Sequence, residues 1–172
     1  MITTPRLLLR PFVLTDVPKL FAMSQEADMR RWIPDQVYRD ERHAEQVAHA
    51  LIAYTADAPD PRVRPYVLGV ELVEPGSLIG HVGLSPARGS VEIGYAIEEC
   101  LCGRGLATEA VAAVARWGVT ALGLSEVLGI VESDNRASCR VLDKAGFVPG
   151  ADEPPANGRG RRIVYRYPAA SR

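Results

Sequence analysis

One segment constrains the fold of this chain more than any other: a glycine-rich loop at residues 102–110 that joins a strand pattern to a helix pattern. Before the loop, residues 91–97 alternate large apolar side chains with smaller or polar ones, which predicts a strand. After it, apolar residues recur at helical spacing over 107–123, and a second apolar strand follows at 127–131. This strand-loop-helix-strand unit indicates a fold that mixes strands and helices in one layered domain.

The other apolar patterns place this unit in a longer series of strands and helices. We predict strands at residues 7–11, 66–73, 78–84, 91–97, 127–131 and 161–167. We predict helices at 17–24, 44–52, 107–123 and 137–145, and loops at 29–39, 85–90 and 149–160. The order β-α-α-β-β-β-α-β-α-β indicates an α/β (α+β) fold with a mixed, mostly antiparallel central sheet flanked by helices. We expect a single domain over residues 1–172, because no repeat or long linker divides the chain.

The charge balance narrows the classes of partner. The 172 residues carry 20 basic and 21 acidic side chains, a net charge of -1, which argues against bulk nucleic acid as the main partner. The charges are unevenly distributed, because residues 1–135 carry 12 basic and 18 acidic groups and residues 136–172 carry 8 and 3. No apolar run approaches the 18 or so residues of a membrane span, so we expect no membrane association.

The cysteines and histidines favour neither disulfides nor a metal site. Cys100, Cys102 and Cys139 are odd in number and show no Cys-x-x-Cys spacing, and the three histidines do not cluster with them. The first residues lack the features of a signal peptide, so we expect reduced thiols in a cytoplasmic protein without a metal. The oligomeric state is not determined by these patterns, and a homodimer stays open.

The glycine-rich loop is a candidate anion site. Two glycines allow a ligand to approach the backbone, and the unpaired amides at a helix start attract phosphate. An ordinary glycine turn with helix capping is the alternative explanation. A Walker loop requires a lysine that is absent here, and a dinucleotide loop requires a third glycine where Thr108 stands. Neither of these two phosphate loops fits.

A different family fits better. Residues 102–107 match the last two fixed positions of the motif [QR]-x-x-G-x-[GA], with Cys102 at the first. Further motifs are TPRLLLRP at 4–11, LIG at 78–80, EIGY at 92–95, GLATEA at 105–110 and NRASCRVLDKAGF at 135–147. In this order they resemble the GNAT superfamily of acetyl-CoA-dependent N-acetyltransferases, in particular its RimJ/RimL-type branch. The resemblance implies a GNAT-like fold and transfer of an acetyl group to a primary amine by direct attack in a ternary complex.

The resemblance also implies which residues hold acetyl-CoA as cosubstrate. Backbone amides of the loop would bind the pyrophosphate, the main chain of Ile97 would pair with the pantetheine arm, and Asn135 and Ser138 would line that arm near the thioester. The implied set is Ile97, Cys102, Gly103, Arg104, Gly105, Leu106, Ala107, Thr108, Asn135 and Ser138. Simple N-capping of the following helix is the alternative role for Asn135 and Ser138.

Glu92 is the candidate general base, since it shares a strand face with Gly94 and Ala96, where small side chains leave room for a ligand. Its alternative role is to orient substrate without moving a proton. Many members of the family carry a tyrosine that acts as general acid where Leu142 stands here. The general acid is therefore unassigned: Ser138 or water could serve, or the thiolate could leave without protonation.

Two neighbouring side chains receive other roles. Strand alternation predicts that Tyr95 faces away from Glu92, and we assign Cys139 to packing.

The acceptor is the least determined partner. The branch favours the α-amino group of a protein or peptide, while a small-molecule amine and a catalytically degenerate CoA-binding module are the alternatives. The loop that carries Trp32 and Tyr38 borders the acceptor site in the resembled family, although core packing explains Trp32 equally well. A basic C-terminal group is a candidate for the CoA 3'-phosphate or an acidic protein, or is simply a solvated face. This group comprises Arg159, Arg161, Arg162 and Arg166.

Overall fold

The structure is a computed structural model that describes residues 1–154 and 160–169. Within these residues the strands are β1 (Ile2–Thr3), β2 (Leu7–Arg10), β3 (Tyr66–Leu72), β4 (Leu78–Ala87), β5 (Ser90–Ile97), β6 (Glu126–Glu132), β7 (Val148–Glu153) and β8 (Arg162–Pro168). The helices are α1 (Val17–Ser24), α2 (Ala27–Trp32), α3 (Glu41–Ala56), α4 (Leu106–Ala121) and α5 (Arg136–Lys144). Short 3-10 turns lie at Leu14–Asp16, Pro34–Gln36 and Glu99–Leu101.

The strands form one sheet in the spatial order β1-β2-β3-β4-β5-β6-β8-β7. Neighbouring strands are antiparallel except β5 and β6, which are parallel because α4 crosses over between them. Helices α4 and α5 cover one face of the sheet, and α1 and α3 cover the other. The predicted fold class, a mostly antiparallel mixed sheet flanked by helices, is therefore confirmed.

The two faces of the sheet bury separate apolar clusters. The larger cluster packs α4 and α5 on the sheet, and α4 contributes small residues such as Ala110, Ala113 and Gly118 that let the helix lie close. A methyl group added to Gly118 would meet Leu84 and Leu124 at 3.1 Å. The smaller cluster is formed by Phe12, Leu20, Ala48 and Leu78 on the opposite face. None of the described helices has the length and apolar character that crossing a membrane requires.

The prediction of a loop at 29–39 was wrong, because this segment contains most of α2 and the turn Pro34–Gln36. The start of α2 is held from a distance, since the Asp28 amide donates to the Glu99 carboxylate and the Glu99 amide donates to Glu26. A six-residue helix is too short to be stable by itself, so these contacts with the turn after β5 decide its conformation.

The predicted loops at 85–90 and 149–160 were also wrong in part. Strand β4 continues to Ala87 and β5 begins at Ser90, so the connection is a two-residue turn in which Arg88 and Gly89 both have positive φ. β7 occupies the start of the second loop as an edge strand paired with β8, where Pro149 is tolerated because it lies beside an irregularity in the register. The short strand β1, which pairs with β2, was not predicted.

Candidate active site

An opening in the sheet lies between β5 and β6. Among the described residues, Glu92 and Leu128 are the only partners paired between these strands, although β5 continues to Ile97 and β6 to Glu132. The strands therefore diverge beyond that pair and leave backbone groups on their facing edges without a strand partner. A cavity of about 380 Å³ lies at this divergence, lined by both strands, by α2 and by α5. We call it the central cavity.

The glycine-rich loop leads from the end of β5 into α4. Gly103 and Gly105 both have φ of +78°, a conformation that favours glycine, and Gly105 is the residue that precedes α4. No side chain in the described part of the chain caps this helix start. The first intrahelical bond is donated by the Glu109 amide to the Gly105 carbonyl, so the amides of Leu106, Ala107 and Thr108 have no intrahelical acceptor.

Contacts from the beginning of the chain brace this loop. The Arg6 guanidinium donates to the Arg104 carbonyl at 2.9 Å and to the Glu109 carboxylate at 2.7 Å, and the Thr4 hydroxyl donates to the same carboxylate at 2.6 Å. Burial favours a higher pKa for Glu109, but the hydrogen bonds from Thr4 and Arg6 outweigh it and lower the pKa. The charged Glu109 thus fixes the loop against β2 from within the first turn of α4.

Glu92 lies in the wall of the central cavity and is half-buried. Burial raises the pKa of its carboxyl above the ordinary value, and the positive charges of Arg88 and Arg162 offset part of that effect. Gly94, two residues further along the strand, has open space where a side chain would be. The expected room for a ligand beside Glu92 is therefore present.

The start of α5 lies across the cavity from Glu92. Asn135 caps this helix, since its side-chain oxygen accepts a hydrogen bond from the Ser138 amide at 3.0 Å. The Ser138 hydroxyl lies 2.6 Å from the Tyr95 hydroxyl, with either oxygen able to donate, and the Tyr95 oxygen is also 3.2 Å from the Ser138 carbonyl. The capping role weighed for Asn135 is thus observed, and its side chain lines the cavity as well.

The prediction that Tyr95 faces away from Glu92 is correct, yet Tyr95 also lines the central cavity. Tyr95 does lie on the opposite face of β5 from Glu92, but the sheet is open beside this strand, so both faces line the same cavity. Burial raises the pKa of Tyr95 to about 12, against a smaller opposing effect of the hydrogen bond with Ser138. Tyr95 is consequently a neutral hydroxyl that holds Ser138 in position.

The structure brings only some of the predicted cofactor-binding residues to the central cavity. The predicted cofactor-binding residues that line it are Ile97, Cys102, Ala107, Asn135 and Ser138. Gly103, Arg104 and Gly105 lie at the exposed end of the loop, and the Leu106 side chain is buried in the core. Thr108 is half-buried in the first turn of α4. For Leu106, only the backbone amide remains available to a ligand.

The two cysteines of the site region differ in their exposure and surroundings. The Cys102 thiol lies 3.7 Å from the carbonyl oxygens of Ile97 and Glu98. Partial burial and the neighbouring carboxylates, first that of Asp28, raise its pKa, so it stays protonated at neutral pH. Cys139 is buried, as its assignment to packing requires.

Of the four arginines near the C-terminus, Arg162 lines the cavity and Arg166 forms an ion pair with Glu126 at 2.7 Å. Arg161 also has an interaction partner, and Arg159 lies outside the described residues.

Sequence reasoning missed the acidic side of the cavity. Glu26 and Asp28, which lie between the predicted helix at 17–24 and the predicted loop at 29–39, line it together with Glu132. Burial raises the pKa of Glu26, and the negative charges of Glu99 and Glu98 oppose its ionisation further. Trp32 also lines this cavity, and Arg31 lies 4.4 Å from the centre of its ring. The only indication of this acidic side in the sequence is that acidic residues occur both at 26–28 and at 98–99.

Comparison with known proteins agrees with this geometry. A family model described as "Acetyltransferase (GNAT) domain" matches residues 6–148. The uncharacterized N-acetyltransferase YoaA of Bacillus subtilis (strain 168) is 32% identical over 148 residues, which cover 84% of this chain and 80% of that protein.

Two solved structures share the fold. An acetyltransferase (GNAT family) from Bacillus anthracis has a TM-score of 0.83 at 21% identity and covers 99% of both chains. RimL, a ribosomal L7/L12 alpha-N-protein acetyltransferase solved with coenzyme A, has a TM-score of 0.80 at 16% identity, covering 96% of this chain and 95% of that one. Because the family model spans most of the sequence, this protein belongs to the GNAT acetyltransferase family.

Proposed function

We propose that this protein transfers an acetyl group from acetyl-CoA to a primary amine, which attacks the thioester directly in a ternary complex. The observation that carries the proposal is the central cavity itself. It joins a half-buried carboxylate on β5 to the capped start of α5, and it lies beside a helix start with free amides. A base, a hydroxyl and an anion site are thus brought together by one opening in the sheet.

The residues of the loop suit a pyrophosphate. The amides at the start of α4 have no protein acceptor within the helix, and the positive end of the helix dipole lies at the same place. Gly103 has open space where a side chain would be, which lets a phosphate approach the backbone. The unpaired edge of β5 near Ile97 offers backbone groups that an amide-containing arm can pair with, as an added strand would.

Glu92 is the proposed general base. Only a neutral amine can attack a thioester, so the bound ammonium must lose a proton, and a carboxylate whose pKa is raised by burial is a better acceptor than an exposed one. The surrounding acidic residues, Glu26, Asp28 and Glu132, favour the approach of a cation. The alternative is that Glu92 only orients the substrate, and the pH dependence of kcat/KM distinguishes the two roles.

Ser138 is the proposed donor to the departing sulfur. Its hydroxyl is held by Tyr95, and its amide is held by Asn135. Tyr95, with a pKa of about 12, is a weaker acid than a thiol and does not supply the proton itself. Ser138 therefore stabilises the leaving thiolate by a preorganised hydrogen bond, while Tyr95 acts through Ser138 as a positioning residue.

The proposed acceptor is the α-amino group of a protein or peptide. Support comes from the similarity to RimL, which is described as an alpha-N-protein acetyltransferase, and from the acidic lining of the cavity. A free small-molecule amine that carries the same group is the second candidate. The RimJ/RimL-type branch and a cytoplasmic location belong to the same proposal.

A thiol-release assay with acetyl-CoA tests the function. We expect turnover with an amine panel of peptide N-termini, amino-acid amides, polyamines and aminoglycosides. We expect Glu92→Gln to lower kcat/KM at pH 7 by about 100-fold. The matched control is Glu74→Gln in the exposed β3-β4 turn, which should retain wild-type activity.

The pH profile separates the two roles of Glu92. Because its pKa is raised, the acidic limb of the wild-type kcat/KM profile should lie above pH 4.5, and Glu92→Gln should lack that limb. An unchanged kcat/KM in Glu92→Gln removes it as the base. Calorimetric binding of CoA without turnover of any amine shows a CoA-binding module instead of an enzyme.

A further inference from the structure

A second cavity, of about 270 Å³, lies on the sheet face covered by α1 and α3. We call it the side cavity. Its wall is apolar over most of its area, with contributions from Phe12, Leu20, Val47, Leu51, Pro65 and Val67, and it also includes the polar side chains of Asp35, Gln36, His43 and Ser85. An apolar cavity of about 150 Å³ is large enough to bind benzene, so this one has room for a bicyclic ring or a long aliphatic chain. The side cavity is partly open to solvent, as clefts that bind small molecules are.

The side cavity adjoins the central cavity. Gln36 and Gly94 line both of them, and the Cβ position of Gly94 faces open space. Gly94 lies directly opposite Gly83 in the register of β4 and β5, so no side chain rises from the sheet at this point. Glu92 is on the same face of β5, two residues and about 7 Å along the strand. When an acceptor binds with its amine beside Glu92, the part of the acceptor that lies three or four bonds from the amine nitrogen is at the entrance of the side cavity.

The walls of the side cavity are held in place. The Gln25 side chain donates to the Tyr38 carbonyl at 2.8 Å, and the Tyr38 amide donates to the Ser24 hydroxyl at 3.3 Å. The Tyr38 ring meets His43 edge-on, with 5.5 Å between ring centres. Two segments that follow different helices are therefore fixed against each other, and the cavity is preformed.

One polar atom in the wall has no partner. His81 lines the side cavity, and its Nε2 is buried without a hydrogen-bond partner among the described residues. Buried polar atoms of this kind are rare in native proteins and require a specific explanation. Burial keeps the imidazole neutral, so His81 adds no charge to the wall.

We propose that the acceptor carries an aromatic or large aliphatic group within four bonds of its amine nitrogen, and that this group occupies the side cavity. The inference rests on the proposed function and assigns its substrate class. Polyamines and aminoglycosides are disfavoured, because they carry no large apolar group to cover the Phe12, Leu20 and Val47 side of the cavity. The matching acceptors are amino-acid amides or peptide N-termini with a large apolar first side chain.

The experiment compares phenylalaninamide, glycinamide and spermidine in the thiol-release assay at saturating acetyl-CoA. A buried methylene alone changes specificity at least tenfold, so we expect wild-type kcat/KM to favour phenylalaninamide over glycinamide by at least tenfold. Val47→Phe should fill the cavity and bring that ratio close to one. Gln46→Phe, on the exposed side of α3, is the matched control and should retain the wild-type ratio.

A second variant covers the case in which Val47→Phe fails to fold, as judged by thermal melting and calorimetric CoA binding. Leu51→Ala enlarges the cavity and should raise the preference for tryptophanamide over phenylalaninamide by several-fold. Transfer without an aromatic preference, a preference for spermidine, or a folded Val47→Phe with an unchanged ratio overturns the side-cavity assignment and leaves the proposed function intact. Failure to acetylate any amine overturns both.

Discussion

His81 should make this protein sensitive to mild acid. It lies in β4 with 9% of its surface exposed, and burial lowers its pKa from the ordinary 6.5 to about 4. In the unfolded chain the same side chain titrates near 6.5. Between these two values the unfolded state binds a proton and the native state does not. Stability therefore rises with pH across this window and is lost as the pH falls through it.

The size of the effect follows from the two pKa values. Each pKa unit is worth about 1.4 kcal/mol, so His81 alone removes about 2 kcal/mol of unfolding free energy between pH 7.5 and 5.0. At pH 4 the loss reaches about 3 kcal/mol, a large fraction of the stability of a typical domain.

The substitution His81→Leu isolates this contribution. It removes the titrating group and the unpartnered Nε2, so the variant should be at least as stable as wild type at pH 7.5. Urea unfolding at pH 7.5 and 5.0 measures the unfolding free energies of wild type and His81→Leu. Contributions from other titrating groups cancel in the difference between the two proteins. His49→Leu, on the exposed side of α3, is the control and should follow the wild-type pH dependence. If the difference between wild type and His81→Leu is the same at both pH values, the reasoning is refuted.

Three further changes test the loop, the hydroxyl pair and the ion pair that ties β2 to the turn before α1. Gly105→Val should strain a residue with φ of +78° and raise the KM for acetyl-CoA at least tenfold; an unchanged KM removes the loop from the cofactor site. Tyr95→Phe should lower kcat about tenfold at constant acetyl-CoA affinity, because Ser138 loses its 2.6 Å partner. Asp16→Asn weakens two bonds to Arg10 and should cost about 3 kcal/mol in urea unfolding.

The parts of the fold that were predicted correctly are those with local signals. The apolar face of α4, the alternation along β5 and the glycines between them specify that unit almost without help from the rest of the chain. The helix α2 and the edge strand β7 lack such signals. They depend on distant contacts, such as the bonds that join Glu99 to Asp28 and to Glu26, which no local pattern contains.

The site shows the same division. The residue types at Glu92, Asn135 and Ser138 were identified in advance, and the structure places all three in the wall of one cavity. Tyr95 was missed although its strand face was assigned correctly, because the prediction treated the sheet as closed. The divergence of β5 and β6 is a property of two strands that are separated in the sequence by the whole of α4. The side cavity is even less predictable, since α1, α3, the segment 35–38 and the strands β3, β4 and β5 all contribute to its wall.

The proposed reaction brings a polyanion and a cation to one small protein, and the charges near the central cavity are arranged for both. At the loop, the amides at the start of α4 and the exposed guanidinium groups of Arg104 and Arg6 favour phosphate. On the α2 side, Glu26 and Asp28 favour an ammonium group, and their connection to the turn after β5 keeps them near Cys102, where the loop begins. Since the two preferences act within a few residues of each other, the net charge of -1 hides an electrostatic gradient along the cavity that orients two oppositely charged substrates.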